Sequence, residues 1–380
     1  MRKLPTLRFL ASRLWVFDPI FLLLLMAVAG VGLTTLYSAV GGGDGRFADQ
    51  LRNFGMAFLV MWAVAQLSPR LLQRLALPVY GVALLLLVAV ELFGDVRQGA
   101  QRWLDLGIVS LQPSELMKIA MPMMLAWYFY RREGALRWRD FLVAGVLLAV
   151  PFLLIVKQPD LGTALLVFGA GFFVIFFAGL SFGLLTPVVV LATALVVGVV
   201  AFEDTLCAPD TDWVVLHEYQ KHRVCTLLDP SVDPLGRGFH TIQSSIAIGS
   251  GGVMGKGFMA GTQSQLDFVP ERTTDFIFAV FAEEQGLVGA AVLLLLYMLL
   301  LIRGLMIAAM ASSTFTRLLA AALSMVFFIY AFVNVGMVIG ILPVVGVPLP
   351  LMSYGGTALI TVGAAAGLLM TIYRHRLRRP

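Results

Sequence analysis

"TDFIFAVFAEEQGLVGAAVLLLLYMLLL", residues 274–301, sets one acid, Asp275, at the threshold of an apolar run and two more, Glu283 and Glu284, inside it. The run is long enough to cross a hydrocarbon core of ~30 Å as a helix. Carboxylates are costly at that depth, so each of the three needs a partner or a task. Similar runs recur along the 380 residues, of which 59% are hydrophobic and 13% charged, where a soluble domain carries roughly 25% charged residues. The mean hydropathy of +0.91 agrees. Backbone groups in lipid must be satisfied within the protein, which leaves helices or a closed barrel, and continuous apolar runs without period-2 alternation select helices.

The sequence is therefore read as an all-α polytopic membrane protein. Ten spans are expected, at 18–39, 51–68, 75–93, 113–130, 141–156, 161–180, 185–202, 275–302, 318–341 and 355–373. The first follows Arg2, Lys3, Arg8 and Arg13 as a signal peptide would, but it is too long for an h-region and is read as a retained helix. With both termini cytoplasmic, sixteen Lys and Arg fall on inside segments and five on short outside loops, the asymmetry the positive-inside rule describes. The net charge of +5 follows from that orientation, and nothing in it calls for a nucleic-acid partner. Residues 1–380 read as one membrane domain, interrupted by a large outer loop at 203–274. Both cysteines, Cys207 and Cys225, lie in that loop. An exported compartment permits a disulfide between them.

The ionisable residues near membrane depth carry the chemistry. In "RQGAQRWLDLGIVSLQPSELMKIAMP", residues 97–122, Pro113 and Glu115 mark a helix start and Lys118 shares the Glu115 face. The pair is either a structural ion pair or a cation aimed at an anionic headgroup and oriented by Glu115. In "VKQPDLGTAL", residues 156–165, Asp160 either caps the next helix or serves a substrate, and Lys157 snorkels to the interface. Lys221, Arg223, Arg237 and Lys256 of the large loop form a candidate anion-binding set. "GSGGVMGKGF" is no Walker loop, since Ser250 stands at its first glycine and Gly257 after its lysine. The loop histidines lack zinc spacing. Asp275 is either a helix cap or a general base at the water boundary, whereas Glu283 and Glu284 are expected to pair with buried donors. "GILPVVGVPLPLMSYGG", residues 340–356, is apolar yet broken by Pro343, Pro348 and Pro350. Such a segment is tolerated at depth only when buried or lining a cavity.

Those stretches, with "LLDPSVDPLGRGFHTIQSSIAIGSGG" and "GKGFMAGTQSQLDFVPERTTDFIFAVFAEEQGLVG", resemble the SEDS family (RodA/FtsW/SpoVE) over nearly the whole chain. The resemblance implies a peptidoglycan glycosyltransferase of the bacterial cytoplasmic membrane that polymerises lipid II on the outer face for cell elongation and rod shape. In that reaction an acceptor hydroxyl displaces undecaprenyl pyrophosphate with inversion, forming a β-1,4 bond. The resemblance places the family's essential acid at Asp275 and its other polar site positions at Arg102, Trp103, Glu115, Lys118 and Asp160. It also implies a class B penicillin-binding protein as partner. It calls for no fixed cofactor and leaves a divalent cation open. A lipid II flippase or transporter is the alternative of another class, and a non-catalytic scaffold a third. The amino-terminal dozen residues and the segment "EDTLCAPDTDWVV" match the family least, so the resemblance does not carry the cysteine pair.

Overall fold

In the computed structural model, residues 17–97, 100–105, 110–208, 218–229, 237–266 and 268–376 are described. Proline or a capping side chain opens several of the helices that the apolar runs predict. Asp18 caps α1 (Pro19–Ala39), Asp44 caps α2 (Gly45–Ala65), and Ser68 with Pro69 starts α3 (Pro69–Phe93). Pro113 starts α4 (Pro113–Arg131). α5 (Trp138–Lys157), α6 (Leu161–Phe177) and α7 (Phe182–Ala201) follow, and Asp160 caps α6 by accepting from Thr163 N–H. After short α8 (Glu203–Leu206) come α9 (Glu218–Leu228), α10 (Arg237–Gly251) and α11 (Thr262–Gln265). The last three are α12 (Ile277–Ala309), α13 (Thr314–Val338) and α14 (Gly356–Arg374). Six of these helices are long and apolar enough to span a membrane, namely α1, α3, α5, α12, α13 and α14.

One departure from an all-helical reading lies between α3 and α4. Strands β1 (Asp95–Arg97), β2 (Ala100–Asp105) and β3 (Ser110–Leu111) form a small antiparallel sheet in the order β1-β2-β3. Pairing with a neighbouring strand satisfies this segment's backbone outside the helices. In the large loop, Cys207 and Cys225 are joined by a disulfide, with their Cα atoms 5.7 Å apart.

α13 runs through the middle of the bundle, against α4, α6 and α12. α14 packs along α2, where a Cβ on Gly363 would meet the Ala57 carbonyl at 2.5 Å and one on Gly367 the Met61 carbonyl at 2.6 Å. Small residues allow this approach. α7 stands at the periphery, with no buried side chain among its described residues. At one end of the bundle Arg303 donates two hydrogen bonds of 2.7 Å to Asp18. Arg374 donates to Gln66 at the same end.

The apolar run at residues 274–301 is not one continuous helix. α12 breaks at Gly286, whose φ of 64° and ψ of −167° are non-helical. The backbone groups freed by the break are taken up by residues 252–257. Leu287 and Val288 N–H donate to the carbonyls of Gly252 and Val253, while Lys256 and Gly257 N–H donate to those of Glu283 and Glu284. An irregular backbone is tolerable there because protein covers it. The two acids are tied to different elements. Glu283, fully buried, accepts from Lys256 Nζ at 2.7 Å and from the backbone N–H groups of Gln263 and Ser264. Glu284 accepts from the Ser38 hydroxyl of α1. The two buried acids pair with donors, as the bundle reading expects.

Gly255 makes this docking testable. It holds φ +78°, and a Cβ there would lie 2.1 Å from the Glu284 carbonyl oxygen. Gly252, at φ +57°, has nothing within 4 Å. Gly252→Ala should therefore cost only the left-handed strain of about 1–2 kcal/mol. Gly255→Ala adds a backbone clash and should lower the unfolding temperature further in a detergent melt. Equal melting of the two variants would refute the docked break.

Candidate active site

Asp275 sits one residue before the N-cap of α12, which is Phe276 and has no side-chain cap hydrogen bond. The helix-cap reading of Asp275 is thus not what the structure shows. Its carboxylate makes no hydrogen bond or ion pair with any described residue, although the backbone around it is firmly tied. Asn334 of α13 donates its amide to the Asp275 carbonyl at 2.8 Å and to the Val347 carbonyl at 2.7 Å. Ser353 donates to the Thr274 carbonyl at 2.6 Å, and Tyr354 N–H donates to the Thr273 carbonyl at 2.8 Å. The proline-broken segment 340–356 therefore walls the acid. A Cβ on Gly346 would stand 3.3 Å from Asp275 Oδ2. Burial, with the charge of Glu271 adding to it, pushes the Asp275 carboxyl from 3.8 up to about 6. The positive end of a helix would pull it the other way, but desolvation dominates. On the other side His240 stacks on Phe276, with ring centroids 5.7 Å apart.

The same segment links Asp275 to a second polar group. Val345 and Val347 pack against Gly162, two residues after Asp160. Asp160 caps α6 and also accepts from Gln112 at 3.1 Å. Arg102 of β2 reaches over it, donating to the Pro159 carbonyl at 2.5 Å and lying 4.0 Å from the Asp160 carboxylate. Trp103, the next residue on β2, is half-buried and projects from the opposite face of the strand.

A third group lies within the helices. Lys118 Nζ donates to Glu115 Oε1 and to the Tyr330 hydroxyl, both at 2.6 Å. Only 3% of the Lys118 side chain is exposed. Its ammonium is enclosed between α4 and α13, so direct reach to a headgroup in water departs from the sequence expectation. Glu115 Oε2 and Arg102 Nε are buried with no hydrogen-bond partner among the described residues. Tyr330 and Asn334 stand four residues apart on one face of α13, about 6 Å along its axis. That helix therefore sets the Lys118 cluster one turn from the Asp275 backbone.

A phenol and an amide placed i, i+4 in an apolar helix, with an acid unpartnered among the described residues, an arginine and a buried lysine around them, form a site assembled from four separate segments. The profile of the family described as cell cycle protein, FtsW/RodA/SpoVE, matches residues 14–378. The chain belongs to the FtsW/RodA/SpoVE family. Among its relatives is the peptidoglycan glycosyltransferase MrdB of Escherichia coli (strain K12), 49% identical over 359 residues that cover 94% of each chain. The peptidoglycan glycosyltransferase RodA of Treponema pallidum is 32% identical and is matched over 95% of this chain and 98% of its own. A chain of a solved peptidoglycan synthase complex, described as coordinating polymerisation and crosslinking, superimposes with a TM-score of 0.79 at 36% identity. That match covers 96% of this chain and 99% of the other. The crystal structure of Thermus thermophilus rod shape determining protein RodA gives 0.69 at 30% identity, covering 96% and 98%.

Not every residue expected at the site of this FtsW/RodA/SpoVE member is brought there. Lys256 is spent on Glu283 and Thr262, each at 2.7 Å. Glu283 lies eight residues along α12 from Asp275, about 12 Å by helical rise. With its charge neutralised there, Lys256 fastens the loop and is not a free anion binder. The side chains of Arg223 and Arg237 lie outside the described residues. Lys221 donates to the Ala208 carbonyl at 3.0 Å, and Lys157 pairs with Glu91 at 2.6 Å. Among the described residues no three of His, Cys, Asp and Glu cluster as metal ligands would.

Proposed function

We propose that the chain is a peptidoglycan glycosyltransferase that polymerises lipid II, with Asp275 as the general base. The observation that carries the reading is the Asp275 carboxylate itself, unpartnered among described residues while the backbone on both sides of it is tied down. The base takes the proton of the acceptor's sugar hydroxyl as that oxygen attacks the donor's anomeric carbon. The bond to the undecaprenyl pyrophosphate oxygen breaks on the opposite face, inverting the centre and leaving the pyrophosphate with the electron pair. A carboxyl raised to about 6 is mostly ionised at neutral pH and is a stronger base than an ordinary aspartate. Arg102, with 31% of its side chain exposed, supplies the cation nearest the surface for the leaving group. Lys118 acts beneath, setting Tyr330 and Glu115. Asp160 holds Arg102, and Trp103 offers a flat face to a sugar.

Our reading has ten spans, adding α2, α4, α6 and α7 to the six apolar helices, in the cytoplasmic membrane with both termini inside. Segment 203–274 and Asp275 then face outward, where an oxidising compartment favours the Cys207–Cys225 bond. A class B penicillin-binding protein is the partner that would crosslink the product. The test is purified protein with lipid II and that partner in detergent. Glycan polymer supports the enzyme. Absence of polymer, together with lipid II movement across proteoliposomes, would favour the flippase reading instead.

A further inference from the structure

Away from this site, the first turns of α3 and the last turns of α4 meet around a cleft of about 610 Å³. Arg70, Gln73 and Arg74 line it from α3, and Trp127, Tyr130 and Arg131 from α4. In each helix these positions are spaced i, i+3, i+4, so one face of each is turned to the other. Three arginines thus converge on one opening. None of them has a carboxylate partner among the described residues, and Arg131 lies over the Trp127 ring at 5.4 Å. Arg132 and Arg303 of the bundle are compensated, by Asp140 at 3.7 Å and Asp18 at 2.7 Å. Arg139, Arg317 and Arg376 have no carboxylate partner among the described residues either, and share no cleft with this set. The positive-inside bias explains arginines at helix ends. It does not by itself bring three of them to one cleft that Trp127, Tyr130 and the Leu77–Pro78 wall complete.

The shape of the cleft indicates the ligand. Its inner wall continues into Leu77 and Pro78, and Leu77 is 50% exposed on the outer surface of α3. Pro78 has no N–H to give the Arg74 carbonyl, so a helix acceptor is left at the wall. Indole and phenol rings sit where a bilayer places its headgroups. A soluble anion would use the cations but not the apolar wall open to the membrane.

We propose that this cleft binds the phosphodiester headgroup of an anionic phospholipid, whose acyl chains run down the exposed face of α3 below Leu77. Arg70, Arg74 and Arg131 hold the phosphate. Gln73 and the Arg74 carbonyl meet headgroup hydroxyls.

The experiment uses the full chain in detergent, titrated with phosphatidylglycerol and separately with phosphatidylethanolamine, with retained lipid read by native mass spectrometry and stability by thermal melting. Wild type should retain phosphatidylglycerol in preference to the zwitterionic lipid. Combining Arg70→Gln, Arg74→Gln and Arg131→Gln should weaken retention about a hundredfold. Removing three charges elsewhere, by Arg139→Gln, Arg317→Gln and Arg376→Gln, should leave it unchanged. If the triple cleft variant does not fold, Arg74→Gln alone and the wild-type lipid preference still decide the matter. Equal retention of both lipids, undiminished retention by the cleft variants, or equal loss in the control overturns the proposal. Inorganic phosphate that stabilises wild type as well as the lipid does would make this a free-anion site and overturn the lipid assignment.

Discussion

Asp275→Asn is expected to reduce lipid II polymerisation by about 10²–10⁴-fold, the usual cost of losing a general base, without loss of fold. The second half of that expectation comes from the structure. The Asp275 carboxylate caps nothing and bonds to no described residue, so an amide of the same shape breaks no contact. Its backbone ties to Asn334, Ser353 and Tyr354 do not involve the side chain. The pH dependence has a definite sign. In the folded protein the carboxyl titrates near 6, above its ordinary 3.8, so the folded state holds this proton more tightly than the unfolded chain. The stability it contributes is fully present below about pH 4 and is lost as pH rises through about 6. Asp275→Asn removes that slope, and at pH 8 the variant should melt no lower than wild type. Catalysis runs the other way, because only the ionised form accepts a proton. Wild-type polymerisation should rise through about pH 6 and level off. Rates from pH 5 to 8, with melts at both ends, test both halves. A stable Asp275→Asn protein that polymerises at a comparable rate would show that the base lies elsewhere.

How far the sequence carries such an argument differs from one segment to another. The apolar runs were legible because a bilayer demands about 20 apolar residues for each crossing helix. α1, α3, α5, α12, α13 and α14 each fall on an expected span. The break at Gly286 was not legible, since "AEEQGLVG" satisfies helical periodicity. What permits the break is a set of carbonyls and N–H groups at 252–257, supplied from about thirty residues away. The Lys256–Glu283 pair was not legible for the same reason. A lysine in a glycine-rich loop reads as a free cation until the fold brings Glu283 to it. Asp275, Glu115, Lys118 and Asp160 were legible as ionisable residues at or near membrane depth, and the family resemblance sharpened them, whereas Arg102 was marked by the resemblance alone. Tyr330 and Asn334 were missed. Their signal was present in the sequence, a phenol and an amide four residues apart on a helix otherwise apolar, but what each one touches lies on other segments.

The Lys118 cluster is where packing and chemistry are hardest to separate, and it gives the second large expected effect. Lys118→Met keeps the length of the side chain and removes its charge. Glu115 Oε1 then loses a partner at 2.6 Å, and Oε2 already has none among the described residues. Only 13% of that side chain is exposed. Removing one member of a buried ion pair typically costs about 3–5 kcal/mol, because the remaining charge is left uncompensated. A clear fall in melting temperature is therefore expected, along with a steep loss of polymerisation. Either could be secondary to the other. Adding Glu115→Gln separates them by neutralising the stranded carboxylate, so the double variant should recover much of the lost stability. If polymerisation stays low in a double variant that melts near wild type, the charge at Lys118 is needed by the reaction. It would then act through Tyr330, which stands one helical turn from the residue that holds the Asp275 backbone. If polymerisation returns with stability, Lys118 and Glu115 serve only to pin α4 to α13, and the cation for the leaving pyrophosphate must be sought at Arg102.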